Sequence, residues 1–306
     1  MSAAPSQKMQ TLIPDWTEYE LQDTGEGRKL ERFGEFTLIR PEPQARWTAA
    51  LPVQRWEAAD GEFVRAPGGQ RSAWKFRKPI PARWVMQRKN LKFWVQPAPS
   101  GHVGVFPDQA CHWDWVVEVT KRSAKPVKAL CLFGHTGLVT LAAAAAGAEV
   151  THVDASRKAV ALARENQALS GLTELPIRWI VEDAMTFVKR EARRGSRYDA
   201  LMLDPPRFGR GPDGEIWKLD DSLPELLAAC EKLLCNSPVF VVLNVYSTVL
   251  SQGRVEKEAE ALRRYLKDMR LKSHMTITAG ELALEDAARR RVSASVFARA
   301  ERPQPA

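Results

Sequence analysis

The stretch from Lys128 to Ser156 constrains the fold more than any other part of the chain. Ala129 to Phe133 is a short apolar run, the pattern of a strand covered on both faces. Gly134-His-Thr-Gly137 interrupts it, and glycine lets a backbone turn sharply and approach a ligand closely. Leu138 to Ala146 is alanine-rich, the best helix-forming composition, and Gly147 suits its C-terminal cap. Glu149 to Val153 reads as a second strand, ending at Asp154.

An acid roughly 20 residues past such a turn, at the tip of the next strand, can accept hydrogen bonds from both hydroxyls of a ribose. That pattern marks a nucleoside-cofactor site. A plain βαβ unit with Asp154 capping the following helix is the other reading.

Downstream the chain keeps alternating. Arg157 to Ser170 is an amphipathic helix stopped by Gly171, and Ile177 to Val181 a strand ending at Glu182-Asp183. Helices are expected at Ala184 to Arg194, Ser222 to Leu234 and Arg254 to Arg270. Strands are expected at Tyr198 to Leu203, Val239 to Val245, Leu271 to Thr278 and Val292 to Arg299. Strict alternation means an α/β, Rossmann-like domain with a mostly parallel sheet and right-handed crossovers. Ligands of such sheets sit at the carboxyl ends of the strands, where Gly134, Asp154, Asp183 and Asp204 all fall.

Asp204-Pro-Pro-Arg-Phe208 carries the most chemistry. Two prolines after an acid fix the backbone and leave no competing N–H groups. The Asp204 carboxylate and the Pro205 carbonyl are then acceptors for a planar donor such as the exocyclic amine of a base, and Phe208 can stack on that base. Arg207 to Lys218 is glycine-rich and basic, and reads as a mobile loop closing over substrate, with Arg207, Arg210 and Lys218 for phosphates. A proline-stopped strand and a solvated loop would produce the same string.

The first half differs in texture. Residues 1–15 are expected to be a disordered tail, and 16–119 a β-rich module with short runs such as Phe36 to Ile39 and Phe93 to Val95. The catalytic domain would then occupy 120–306. Formal net charge is +8, which favours a polyanionic partner such as RNA. Between Val64 and Pro107 there is no Asp or Glu, while Arg65, Arg71, Lys75, Arg77, Lys78, Arg83, Arg88, Lys89 and Lys92 alternate with Trp74, Phe76, Trp84, Phe93 and Trp94. Cations beside aromatic faces make a single-strand-binding mixture, so Lys75 and Arg77 are candidate RNA contacts. A β module with core tryptophans and solvated cations is the alternative. Gly101 to Ala110 is a glycine-spaced loop that either covers the site or forms a turn with Phe106 in the core.

Four cysteines without CxxC spacing and five histidines without clustering argue against a metal site. No apolar run approaches the roughly 18 residues of a membrane helix, and Met1 to Gln10, small and polar, lacks a signal-peptide core, so the cytoplasm is expected.

Phe133-Gly-His-Thr-Gly137, Val153-Asp-Ala-Ser156, Glu182-Asp-Ala184 and Leu203-Asp-Pro-Pro-Arg-Phe208 resemble motifs of class I S-adenosylmethionine-dependent methyltransferases, most of all the group of bacterial 23S ribosomal RNA methyltransferases. The resemblance covers roughly residues 100–300. It implies seven strands with the last antiparallel and S-adenosylmethionine as cofactor. It implies a covering loop with Phe106 and Gln109, and a turn, Phe133, Gly134, Thr136 and Gly137, wrapping the methionine and ribose. Asp154 with Ala155 would hold the ribose hydroxyls, and Asp183 with Ala184 the adenine. Asp204, Pro205 and Phe208 would then be catalytic. The chain departs from the pattern at three places. Leu243 to Thr248 lacks the cysteine that cytosine C5 chemistry needs for its covalent adduct, which argues against that reaction and favours nitrogen over C5, with the acceptor atom itself left open. Ala110 stands where the group often has arginine, and the aromatic Phe208 sits one residue beyond its place in amino-methyltransferases. Two rivals keep the same motifs: a dinucleotide-dependent oxidoreductase, although the turn lacks the full G-x-G-x-x-G, and a non-catalytic RNA-binding protein on this scaffold.

Overall fold

Residues 9–65, 72–246, 252–269, 271 and 275–303 are described by the structure, a computed structural model. The chain begins with β1 (Gln10–Leu12) and an antiparallel run of β2 (Tyr19–Gly25), β3 (Arg28–Phe33) and β4 (Phe36–Pro41). Glu26 and Gly27 join β2 to β3 with both φ angles positive, 54° and 75°, as a tight hairpin with the strands' own twist requires. The short helix α1 (Val53–Glu57) leads to β5 (Gly61–Val64) and β6 (Ala73–Phe76), completing a five-stranded sheet, and β7 (Trp84–Arg88) pairs with β8 (Leu91–Val95) as a separate hairpin.

A 3-10 turn at Pro107–Gln109 opens α2 (Ala110–Arg122). Then follow β9 (Lys128–Leu132), α3 (Leu138–Ala145), β10 (Glu149–Asp154), α4 (Arg157–Leu169), β11 (Ile177–Val181), α5 (Ala184–Arg193) and β12 (Ala200–Leu203). A small hairpin, β13 (Phe208–Arg210) with β14 (Ile216–Lys218), precedes α6 (Leu219–Glu231). The chain ends in β15 (Phe240–Tyr246), α7 (Gln252–Asp268), β16 (Thr276–Glu285) and β17 (Arg291–Glu301). The central sheet has eight strands in the order β1-β16-β17-β15-β12-β9-β10-β11. β17 runs against its neighbours β15 and β16, and the remaining pairs are parallel.

Alternation along each strand explains the layers. Leu130, Leu132, Leu201, Leu203, Val241 and Leu243 face a core shared with α5, α6 and α7. Their neighbours Ala129, Cys131, Ala200, Met202 and Val242 face the opposite core, with Val116 of α2 and Ala143 of α3. Both faces are dry, so the strands read as continuous apolar runs.

The expected seven-stranded sheet is present, with β1 as an eighth strand. Gln10–Leu12 belonged to the expected disordered tail, yet it pairs in register with Gly280–Leu282. A Cβ on Gly280 would lie 1.9 Å from the Gln10 carbonyl, so glycine there admits the extra strand. Residues 1–8 lie outside the described residues. α2 falls where a β-like texture was expected. Its tryptophans and valines favour strands locally, but Ala110, Trp113, Val116 and Thr120 are buried at helical spacing. β16 begins later than the expected Leu271 to Thr278 and runs on through Gly280. The segment 207–218, expected as a mobile loop, is a hairpin held by buried Trp217, whose Nε1 donates to the Pro206 carbonyl at 2.6 Å.

The two halves share one apolar core. Trp16, Phe33, Trp84 and Phe93 pack with Trp113 of α2, with Leu138 and Leu141 of α3, and with Leu284 and Val292 of the last hairpin. Buried Asp23 of β2 accepts from Leu51 N at 2.8 Å and Trp56 Nε1 at 3.0 Å, and pairs with Arg290 beyond the end of β16. Phe93 is fully buried, its ring 5.7 Å from Trp16 and 6.4 Å from Trp113. Phe93→Ala should therefore cost about 3–5 kcal/mol. Because the core is shared, far-UV circular dichroism and tryptophan fluorescence should shift together in one transition. A variant melting in two steps, with only the N-terminal strands loosened, would contradict the shared core.

Candidate functional site

The parallel register brings the key residues to one edge. Leu203 pairs with Leu132 on one side and Leu243 on the other, so Asp204, Phe133 and Asn244 leave adjacent strands side by side. Val153 pairs with Leu132 and Asp154 with Val181, which carries the row across to Asp183. Two joined cavities open at this edge, an inner one of about 60 Å³ and an outer one of about 490 Å³. Phe106, Gln109, Phe133, His135, Asp204 and Asn244 line both. Asp154, Ala155, Asp183, Ala184 and Pro205 line the outer one, and Gly134 and Thr136 the inner one.

Asp204 is held from below. Its Oδ1 accepts from Asn244 Nδ2 at 2.7 Å. The Asn244 amide is oriented in turn by Ser295 Oγ, which donates to its Oδ1 at 2.9 Å, and by His112 Nε2 at 3.3 Å. Arg299 Nε donates to His112 Nδ1 at 3.0 Å, which makes Nε2 the protonated nitrogen facing Asn244. Burial pushes the Asp204 carboxyl up to about 7, and the nearby Asp108 carboxylate adds to the shift. Asp108, also buried against the outer cavity, is pushed up to about 6, again by burial. Two desolvated carboxyls face one cavity, an arrangement that favours a cationic or hydrogen-bond-donating ligand.

Asp154 is not the cap of α4. Ser156 is, its hydroxyl accepting from Ala159 N at 3.2 Å. The Asp154 carboxylate instead takes the backbone N–H groups of His135 and Ser156, each at 2.8 Å, which aims it across the turn. Burial raises its pKa. Asp183 lines the cavity and also caps α5, accepting from Thr186 N at 2.9 Å.

The glycine turn is strained where it meets the cavity. Phe133 and His135 have φ of 57° and 48°, and such outliers gather at binding sites. A Cβ on Gly134 would fall 2.3 Å from the buried His152 ring, so no other residue fits there. Gly137 begins α3 at φ 84° and does not reach either cavity. Burial lowers the His135 imidazole to about 4, so it stays neutral.

The loop before α2 covers the site. Phe106 stands on the cavity rim, 39% exposed and outside the core, with its ring 5.4 Å from His135. Thr136 Oγ1 donates to the Gly104 carbonyl at 2.8 Å and ties loop to turn.

Several expected substrate contacts lie elsewhere. Phe208 projects from β13 at 56% exposure and is not part of the cavity lining, where Trp217 stands instead. Arg207 and Arg210 do line it, and Arg207 pairs with Glu258 at 3.3 Å. Lys218 is exposed on β14, away from the cavities. Arg77 is engaged with Glu62 at 3.0 Å and Lys78 with Asp60 at 3.4 Å. Arg83 meets Glu165 at 2.5 Å and Arg88 meets Asp114 at 2.6 Å, so tertiary structure supplies many of the acids missing from the local sequence. Lys75 is exposed on β6, where Phe76 is also open to solvent and Trp74, stacked on it, packs partly buried against the shared core. Arg71, Ser247 and Thr248 lie outside the described residues.

Asp108, His135, Trp217, Asn244, Tyr246 and Ser295 are cavity residues without an assigned role in the sequence reading. Asn244 was within reach, because a strand parallel to that of Asp204 places it next to the acid. Ser295 arrives from the antiparallel last strand, and no local pattern marks it. Among the described residues no group of three or more His, Cys, Asp or Glu is placed to hold a metal ion, and no helix is long and apolar enough to cross a membrane.

Comparison with known proteins identifies the family. A family described as conserved hypothetical protein 95 matches residues 115–213. Ribosomal RNA large subunit methyltransferase I of Aeromonas salmonicida is 31% identical over 147 residues, 48% of this chain and 33% of that protein. The chain thus spans about a third of the length of the first curated relatives it matches. A methyltransferase structure from Streptococcus mutans, 16% identical with a TM-score of 0.63 over 90% of this chain and 73% of that one, shares the fold. The crystal structure of an S-adenosylmethionine-dependent methyltransferase from Agrobacterium tumefaciens is 38% identical, covers 97% of this chain and 94% of that one, and has a TM-score of 0.88. With that identity over nearly the full length of both, the chain belongs to the S-adenosylmethionine-dependent methyltransferases.

Proposed function

We propose that the chain transfers the methyl group of S-adenosylmethionine to a base of ribosomal RNA, at nitrogen. The observation that carries the reading is the desolvated Asp204 carboxyl, oriented by Asn244, in one cavity with Asp154 and Asp183. The donor set fits the cofactor. A buried carboxylate suits the ribose hydroxyls, a second acceptor suits an adenine amine, and neutral rings with unpaired acids suit a cationic sulfonium and ammonium. About 490 Å³ lies within the range of small-molecule sites, about 300–1,000 Å³. When bound, the cofactor supplies an already activated methyl group on a positively charged sulfur.

The chain's own residues would then align and desolvate. Asp154 with Ala155 would hold the ribose, Asp183 with Ala184 the adenine, and Phe133, Gly134 and Thr136 the methionine side. Asp204 and the Pro205 carbonyl would accept hydrogen bonds from the target amine, and the Asp204 carboxylate would take up the proton that it loses. Arg207 and Arg210 would meet phosphates at the rim, with Lys218 and Lys75 further out. Phe208 would reach a base only if the hairpin swings inward, since it now points to solvent.

RNA as substrate is supported by the names of the relatives and by the formal net charge of +8. Nitrogen is favoured because the cavity's one cysteine, Cys131, is buried and pushed up to about 12, which leaves no thiolate for a C5 adduct. A cytoplasmic location follows from such a substrate.

Calorimetric titration with S-adenosylhomocysteine should show binding, weakened at least about 10-fold by Asp154→Ala through the lost charge-assisted hydrogen bonds. Tight nicotinamide dinucleotide binding in its place would favour the oxidoreductase reading.

Asp204→Asn should lower transfer of labelled methyl to ribosomal RNA by about 10²–10⁴-fold while homocysteine-nucleoside binding persists. Transfer equal to the parent's would remove Asp204 from the mechanism.

The same carboxyl sets a pH dependence. Its folded pKa of about 7 lies above the ordinary carboxyl value, so the folded state holds the proton more tightly. Stability is thus full below about pH 4 and declines as pH rises towards 7. Parent kcat should rise with pH up to about 7 and then level. Asp204→Asn should melt several degrees higher than the parent at pH 8, with the gap narrowing towards pH 5. A pH-independent gap would assign the carboxyl an ordinary pKa.

A further inference from the structure

A third cavity of about 340 Å³ lies between the N-terminal sheet and the last hairpin. It meets the outer cofactor cavity at Phe106, Asp108 and Tyr246, which line both. Tyr246 is the last residue of β15, two positions past Asn244, and is 52% exposed. Phe106 is 39% exposed on the same rim. Two large aromatic side chains are thus open to solvent where the two cavities meet, and such rings offer faces for stacking.

The charges of the cavity's wall are mostly compensated. Lys29 pairs with Glu42 at 3.4 Å, and Arg40 with Glu31 at 2.7 Å. Arg65 is an exposed cation with no ion-pair partner among the described residues. Ser293 presents a buried hydroxyl with no hydrogen-bond partner there. The His102 ring, kept neutral by burial at about 4, adds an uncharged aromatic edge. Beside the Asp108 carboxyl, which can accept from a base amine, neutral donors, open rings and one unpaired cation match a single nucleotide of unpaired RNA better than a charged peptide or a duplex.

We propose that this cavity is the nucleotide subsite of the RNA substrate, where Tyr246 and Phe106 hold the target base at the mouth of the cofactor cavity and Arg65 takes a flanking phosphate. The inference rests on the reading of the chain as an RNA methyltransferase. It gives the stacking role to residues on the rim of the cavity in place of Phe208.

The test uses the full chain, labelled S-adenosylmethionine and ribosomal RNA from cells lacking the protein, with S-adenosylhomocysteine binding measured in parallel. Tyr246→Ala should lower kcat/KM for RNA by about 10–100-fold, the loss of one stacked base, while changing homocysteine-nucleoside affinity by less than about 3-fold. Tyr246→Phe should recover most of that loss, because stacking needs the ring and not the hydroxyl. Arg65→Ala should raise KM for RNA and flatten its salt dependence, leaving kcat in place. Tyr246→Ala transferring methyl at the parent's rate would overturn the subsite and leave the methyltransferase reading standing. Equal losses in RNA activity and nucleoside binding would assign Tyr246 to the cofactor site and overturn it too. A parent that binds S-adenosylhomocysteine but methylates no RNA would overturn the RNA reading, and this inference with it.

Discussion

The parallel ladder of β9, β10, β12 and β15 is the constraint on which the site depends. With both faces buried, a one-residue slip would drive the leucines of one face into the space filled by the smaller alanines and Cys131 of the other. That penalty locks the register, and the register delivers Phe133, Asp154, Asp204 and Asn244 to one edge. Asp204 follows a strand that is apolar throughout, so it stands where the dry core ends. Its desolvation is a by-product of that position and raises its pKa, while Asp108 is raised by burial in the turn before α2.

Neither Asp204 nor buried Asp108 has an ion-pair partner among the described residues, an arrangement that contributes nothing to folding. The hydrogen bond that Asp204 receives comes from a neutral group, Asn244, and Ser295 Oγ, whose one proton goes to Asn244, lies 3.2 Å from Asp108. Arg299 is close by but is turned to His112 and the Cys111 carbonyl. The network orients the acids without neutralising them. The structure keeps charge in reserve for a ligand at a cost in stability, as functional sites commonly do.

The N-terminal half is part of this apparatus. Its hairpin packs on α2 and α3, and Asn166 of α4 accepts from Trp94 N at 2.9 Å while donating to the Thr136 carbonyl at 3.0 Å. The glycine turn is therefore braced from the N-terminal side. The same half supplies one wall of the third cavity, so the space beyond Asp204 exists only when both halves are folded together.

Much of the catalytic half was legible in the chain itself. Apolar runs, alanine-rich helices and glycine stops are local signals, and a parallel sheet converts their alternation into a rim of strand ends. Asp154, Asp183 and Asp204 could be placed for that reason. What stayed hidden depends on contacts between distant segments. Ser295 reaches Asp108 and Asn244 through antiparallel pairing at the far end of the chain, and β1 joins the sheet only because Gly280 leaves room. α2 is spelled in strand-favouring residues and becomes a helix because its buried positions face two cores. The acid-free basic span read as a free polyelectrolyte, but Glu62, Asp60, Asp114 and Glu165 come to it from elsewhere. Sequence alone determined the strand-and-turn grammar and the chemistry of the strand ends. Tertiary structure alone decided which charges are spent on each other and which face the cavity, because pairing in space does not follow distance along the chain.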